Sequence, residues 1–175
     1  MDLDVFLKEH VEKSVQQKTF FHFTDKQNLD LIKTYGLLSR RKLKELGIRI
    51  PAPGGNQWSI EAADRLGLDR YVSLCLTTAH PMEYTARQSG QIKEAVYLPI
   101  RPDIIKVEGV MMTHDVSNKA GVEPASPGEI LDKLDLEVLY RRADWKDEAI
   151  KERRKSALKS EILIPDIVPL EYILI

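Results

Sequence analysis

Two stretches at opposite ends of this 175-residue chain carry side chains suited to chemistry. Toward the end, Lys155-Ser-Ala-Leu-Lys-Ser-Glu161 runs straight into Ile162-Leu-Ile-Pro165. A basic amphipathic helix pattern meets a short apolar strand pattern, and one glutamate sits at the join. A carboxylate beside an apolar run is unfavourable to bury unless it is paired or put to use. As a structural residue, Glu161 pairs with Lys155 or Lys159 on an edge strand. As a catalytic residue, it faces the positive charge that builds on a sugar ring when a glycosidic carbon–nitrogen bond breaks. A fixed carboxylate stabilises that transition state more than the ground state, as in glycosidases.

Near the other end lies Phe21-His22-Phe23-Thr24. On a strand, His22 points opposite to its two phenylalanine neighbours. If those rings face the core, His22 faces a cleft or solvent. It is then either a ligand hydrogen-bonder or a half-buried histidine satisfied by a backbone carbonyl. Thr24 shares its face, and Asn28 lies one helical turn further on. A third group, His80-Pro81-Met82-Glu83-Tyr84, follows the most apolar strand pattern in the chain. Met82 and Tyr84 suit core packing. A thioether and a phenol at the start of a helix also make an adaptable wall for a flat ring.

Basic residues form two groups. Arg40, Arg41, Lys42 and Lys44 are followed by Arg49, Arg65 and Arg70, with few acids among the first four, which suits phosphate contact. Lys146, Lys151, Arg153, Arg154, Lys155 and Lys159 are interspersed with Glu148 and Glu152 and read as a paired, solvated helix face. Phosphate-loop, HExxH and GxSxG patterns do not occur. His10, His22, His80 and His114 lack metal-ligand spacing, so no metal is expected.

These residues need elements to hold them. The length fits one domain spanning 1–175 with a core of its own. The formal net charge is −1, so attraction to nucleic acid must be local. The lone cysteine, Cys75, sits between Leu74 and Leu76 and reads as a buried, reduced thiol. The acidic N-terminus and the absence of a long apolar run imply no signal peptide, no membrane span and a cytoplasmic location.

Helices are expected at 4–17, after Asp25 to Gly36, at 39–46, from Ser59 to Leu66, from Pro81 to Arg87 and at 145–159. Strands are expected at 20–23, 71–77, 94–100, 104–107, 109–112, 136–139, 161–164 and 172–175. This partial segregation favours an α+β fold over a doubly wound one.

With these pieces placed, the chain resembles the DarT-type (DUF4433-like) ADP-ribosyltransferases, prokaryotic toxins that modify nucleic acid bases using NAD. The resemblance runs from Phe20 to Ile175 and leaves 1–17 outside. It is carried by Phe21-His22-Phe23-Thr24 with Gln27-Asn28-Leu29, Gly36-Leu37-Leu38-Ser39, Pro53-Gly54-Gly55, Tyr71-Val72, Pro81-Met82 with Tyr84, and Lys159-Ser160-Glu161-Ile162-Leu163-Ile164.

The resemblance implies an ADP-ribosyltransferase fold, with split small β-sheets around an NAD cleft. It makes Glu161 the catalytic glutamate. His22, Thr24 and Asn28 hold the cofactor, Met82 and Tyr84 lie near the nicotinamide, and Tyr71 is on the strand leading there. It also calls for a catalytic arginine, for which Arg49, Arg65 and Arg70 compete. NAD is the co-substrate, and the expected target is a nucleobase in single-stranded DNA or RNA. The implied setting is a toxin of a toxin–antitoxin or phage-defence system, with a macrodomain or other antitoxin as partner. Two alternatives stand beside it: a nonenzymatic nucleic-acid or partner-binding module with a degenerate NAD cleft, and an NAD-dependent RNA 2′-phosphotransferase-like enzyme.

Overall fold

The computed structural model describes residues 1–15, 18–141 and 144–175. Its strands are β1 (Phe20–Asp25), β2 (Leu37–Leu38), β3 (Tyr71–Cys75), β4 (Ala95–Ile100), β5 (Met111–Thr113), β6 (Glu161–Pro165) and β7 (Ile167–Val168). Its helices are α1 (Leu3–Phe6), α2 (Leu29–Tyr35), α3 (Arg40–Glu45), α4 (Gln57–Arg65), α5 (Pro81–Gln88), α6 (Pro127–Leu131), α7 (Leu136–Tyr140) and α8 (Glu148–Ala157). Five strands form an antiparallel sheet in the order β4-β1-β3-β6-β5, and β2 pairs with β7 in a small ribbon of its own. This is the α+β arrangement with split sheets.

Strand register decides which side chains face the core. Phe20 lies opposite Ile100 and His22 opposite Leu98 on β4. On the other side, Val72 pairs with Ile164 and Leu74 with Ile162. Phe20, Leu74, Ile100 and Ile162 are fully buried. Burying each such side chain contributes about 1.5–3 kcal/mol, so this face anchors the sheet. The alternate residues, Ser73, Cys75, Glu161 and Leu163, face the other way.

The phenylalanines beside His22 therefore lie opposite to the side the alternation suggested. Phe20, not Phe21 or Phe23, belongs to the main core. Phe21 and Phe23 pack on Tyr97 instead, with ring centroids 6.3 and 6.1 Å away.

β1 and β3 make one registered pair, Phe21 with Cys75, whereas β1 and β4 make six. Beyond that pair β1 and β3 part, and the imidazole of His22 enters the gap. Its Nδ1 lies 3.0 Å from the Ser73 carbonyl oxygen on β3.

Elsewhere the chain departs from pattern-based expectation for identifiable reasons. Residues 104–107 are not a strand: Pro102 opens a 3-10 turn through Lys106, and Ile104 and Ile105 are both buried. Residues 136–139 form helix α7 instead, capped by Asp135; Leu136, Leu139 and Tyr140 share one helical face. Residues 172–175 make one bridge, Ile173 with Ile100, after a short 3-10 turn. Helix α4 is capped by Asn56, whose Oδ1 accepts from the Ser59 amide, so Ser59 lies inside the helix. The N-terminal helix continues as a wider turn through Val11, and positions 16 and 17 of its expected span lie outside the described residues.

Candidate active site

A cleft of about 330 Å³ opens over the side of β3 and β6 that faces away from the core. This lies within the range of small-molecule and cofactor sites. His22, Thr24, Asn28, Tyr71, Met82 and Glu161 all line it. The two ends of the sequence thus meet in one hollow.

Glu161 opens β6, opposite Cys75 on β3 and Thr113 on β5. It is only 8% exposed. Its Oε2 accepts a 2.9 Å hydrogen bond from the Ser117 amide, in the loop after β5. Its Oε1 lies 3.6 Å from His80 Nε2. The carboxylate is therefore held by the fold, and among the described residues it pairs with His80 and not with the lysines that precede it. The Cys75 thiol beside it is buried and free. Burial, and then the Glu161 charge, push its pKa well up, so it persists as a thiol and not as a nucleophilic thiolate.

His22 reaches the cleft through the gap between β1 and β3. Burial lowers its pKa, and the bond to the Ser73 carbonyl offsets part of that. The neutral ring donates from Nδ1 to Ser73, which leaves Nε2 as a bare acceptor. Such an atom matches a hydroxyl donor, as on a ribose.

Thr24 and Asn28 shape the wall from behind. Asn28 Nδ2 donates to Thr24 Oγ1 at 3.0 Å and to the Ala52 carbonyl at 2.7 Å. Its Oδ1 accepts from the Ala52 amide at 3.0 Å. Asn28 is 4% exposed, so it serves mainly to fix the loop at 51–55. Asp25 does similar work behind β1: its carboxylate accepts from the amides of Gln27, Lys93 and Glu94. The Gln27 amide is the largest of the contacts that lower its pKa.

The expected arginines lie elsewhere. Arg49, Arg65 and Arg70 are exposed and none lines the cleft. Arg70 instead stacks over the outer face of Tyr71 at 5.0 Å. Among the described residues, the arginine that lines the cleft is Arg40, paired with Asp64 at 2.8 Å. Ser39 caps its helix by accepting from the Lys42 amide, so α3 begins at the cleft wall. Tyr84 is 59% exposed and does not line the cleft, while Met82 and Thr85 on the same helix do.

Sequence reasoning also missed the loop contacts. Val116, Ser117 and Asn118 line the cleft, and Asn118 Nδ2 donates to Ser59 Oγ at 2.8 Å, bridging to α4. No local motif marks these residues, because their partners lie far away in sequence. Among the described residues, no group of three or more His, Cys, Asp or Glu side chains is gathered to hold a metal ion.

Comparison with known proteins assigns the chain to a family. Residues 21–175 match the family model described as DarT, ssDNA thymidine ADP-ribosyltransferase. The chain belongs to that family, and with it to the NAD-using ADP-ribosyltransferases. None of the curated protein sequences matches it.

Several solved structures share the fold. Thermosipho africanus DarTG in complex with ADP-ribose superposes with a TM-score of 0.66 at 18% identity, covering 89% of this chain. The chain spans 42% of the length of that protein. Thermus sp. 2.9 DarT in complex with ADP-ribosylated ssDNA gives a TM-score of 0.65 at 19% identity, covering 90% of this chain and 79% of that one. The same Thermus protein in complex with NAD+ gives 0.59 at 21% identity, covering 92% and 81%. Among the described residues, no helix is long and apolar enough to cross a membrane.

Proposed function

We propose that residues 1–175 act as one ADP-ribosyltransferase-like domain that transfers ADP-ribose from NAD to a thymine in single-stranded DNA. The observation that carries this reading is the meeting of Glu161 and His22 in one cleft, with the carboxylate held by the Ser117 amide. The family description supplies the substrate class, and a solved relative of the same fold is in complex with ADP-ribosylated ssDNA.

The chemistry follows from charge. As the bond between nicotinamide and ribose breaks, nicotinamide leaves with the electron pair and the sugar becomes cationic. Glu161 stabilises that cation and accepts a ribose hydroxyl. His22 Nε2 accepts a second hydroxyl and orients the sugar. A nitrogen of an extruded base then bonds the anomeric carbon and releases its proton to solvent water. Arg40 takes the place of the expected arginine, close enough to the cleft for a phosphate and released from Asp64 to reach it. Tyr71 and Met82 supply apolar walls for the flat rings.

Modification of a DNA base fits a cytoplasmic toxin of a toxin–antitoxin or phage-defence system. A solved relative named DarTG is in complex with ADP-ribose, which suits an antitoxin partner such as a macrodomain that removes the group. The test uses NAD labelled in its adenylate phosphate, offered with single-stranded DNA, RNA or protein. Label is expected on thymine-containing DNA, and Glu161→Gln should lower the rate at least about 10²-fold. Label on RNA alone moves the target to RNA. Absence of both transfer and nicotinamide release leaves a nonenzymatic binding module.

A further inference from the structure

Beside the cleft, the buried ring of His80 faces the Glu161 carboxylate. We propose that His80 is a positioning residue for Glu161, presenting its Nε2–H to Oε1 while the Ser117 amide holds Oε2. The proposal rests on the reading of Glu161 as the catalytic carboxylate.

The tautomer follows from the fold. His80 caps α5, and its Nδ1 accepts from the Met82 amide at 3.3 Å. An accepting Nδ1 has no proton, so the neutral ring carries its proton on Nε2. The residue is 2% exposed. Its Nε2 makes no hydrogen bond among the described residues and lies 3.6 Å from Glu161 Oε1. That separation is just beyond hydrogen-bond length, and such contacts in unliganded sites tighten when substrate binds. Phe23 stacks on the ring at 6.0 Å and 25° and fixes its plane.

A helix cap alone does not account for this residue. Asn or Ser caps an amide as well, without leaving a buried N–H unpaired. The second nitrogen is explained by what it faces. Glu161 approaches from β6 and Asp115 from the loop after β5, and both favour the charged ring. The Lys159 carbonyl does the same but makes no hydrogen bond to Nε2. From β4, the Tyr97 phenol lies near the His80 backbone. Burial outweighs all of these and holds the ring neutral to below its ordinary pKa. A neutral donor aligns the carboxylate without cancelling the charge that the sugar cation needs.

Two substitutions divide the ring's two functions. His80→Asn keeps an oxygen where Nδ1 accepts from Met82 but is too short to reach Glu161. His80→Gln places an amide N–H where Nε2 stood and caps poorly. With NAD and single-stranded DNA, His80→Asn is expected to lower kcat about 10- to 100-fold. Its KM for NAD should stay within about threefold and its unfolding midpoint near wild type. His80→Gln should be less stable yet recover part of kcat. Full kcat in His80→Asn would overturn the proposal and leave a cap only.

A second readout does not depend on turnover. Nitrogen-resolved NMR of the imidazole should show the Nε2–H tautomer, with a titration midpoint that falls in Glu161→Gln. An Nδ1–H tautomer, or a midpoint indifferent to that substitution, overturns the pairing even in a protein that never consumes NAD. Coupling in a protein that releases no nicotinamide upholds the pairing and removes the transferase reading instead.

Discussion

Asn28 and Ala52 exchange two hydrogen bonds across 24 residues of sequence, one in each direction, at 2.7 and 3.0 Å. A side-chain amide here imitates a backbone, and it clamps the cleft loop to the turn after β1. Asn28→Ala removes both bonds and leaves the Ala52 amide and carbonyl unpaired. It should destabilise the protein by about 1–3 kcal/mol and make the 51–55 loop the first site of proteolysis. Urea unfolding and limited proteolysis check this, and wild-type behaviour in both would show that the clamp is dispensable.

His22→Ala should weaken NAD binding about tenfold, the equivalent of one hydrogen bond near the upper end of the usual range. It should also loosen the gap between β1 and β3, because the bond from the imidazole to the Ser73 carbonyl is lost. Calorimetric titration measures the first effect. Unchanged affinity would remove His22 from the ribose-binding role.

Stability should fall as the solution is acidified from about pH 7 to pH 5. His22 and His80 both have pKa values lowered by burial from the ordinary 6.5. The unfolded chain therefore takes up protons on these rings at a higher pH than the folded one. Their contribution is complete above 6.5 and is lost as pH drops toward the folded values. Asp25, lowered from 3.8 with the Gln27 amide as the largest lowering contact, adds a second loss at lower pH. Chemical unfolding midpoints at several pH values test this, and a flat profile down to about pH 5 would contradict it.

Gly36 leaves no room for a side chain. Its φ is +78°, and a β-carbon placed there would lie 2.5 Å from the Val168 carbonyl oxygen. Gly36→Ala combines a strained backbone with a backbone clash, and it should destabilise by more than about 1 kcal/mol. Because the ribbon borders the cleft, NAD affinity should drop in the same variant.

The site was legible in the sequence where chemistry announces itself locally. A carboxylate at a helix–strand join and a histidine between aromatics are visible without coordinates, and both line the cleft. What stayed hidden depends on distance in sequence. Ser117, His80 and Glu161 are brought together by three separate segments, and no pattern in any of them reports the others. The placing of the arginines was hidden for the same reason: Arg40 lines the cleft while Arg49, Arg65 and Arg70 are exposed, and exposure is a tertiary property. In the fold, short apolar runs misled. Ile104-Ile105 and Leu136 to Tyr140 are apolar enough for strands, but a proline start and an aspartate cap turn them into helical pieces.

The β2–β7 ribbon ties two stretches of the cleft wall together. Leu37 and Leu38 pair with Val168 and Ile167, and the Ser39 amide donates to the Asp166 carbonyl at 2.8 Å. The segment that launches Arg40 is thereby laced to the chain emerging from the Glu161 strand. Both flanks of the hollow therefore depend on the same few backbone hydrogen bonds, and a substitution that breaks the ribbon disturbs the two together.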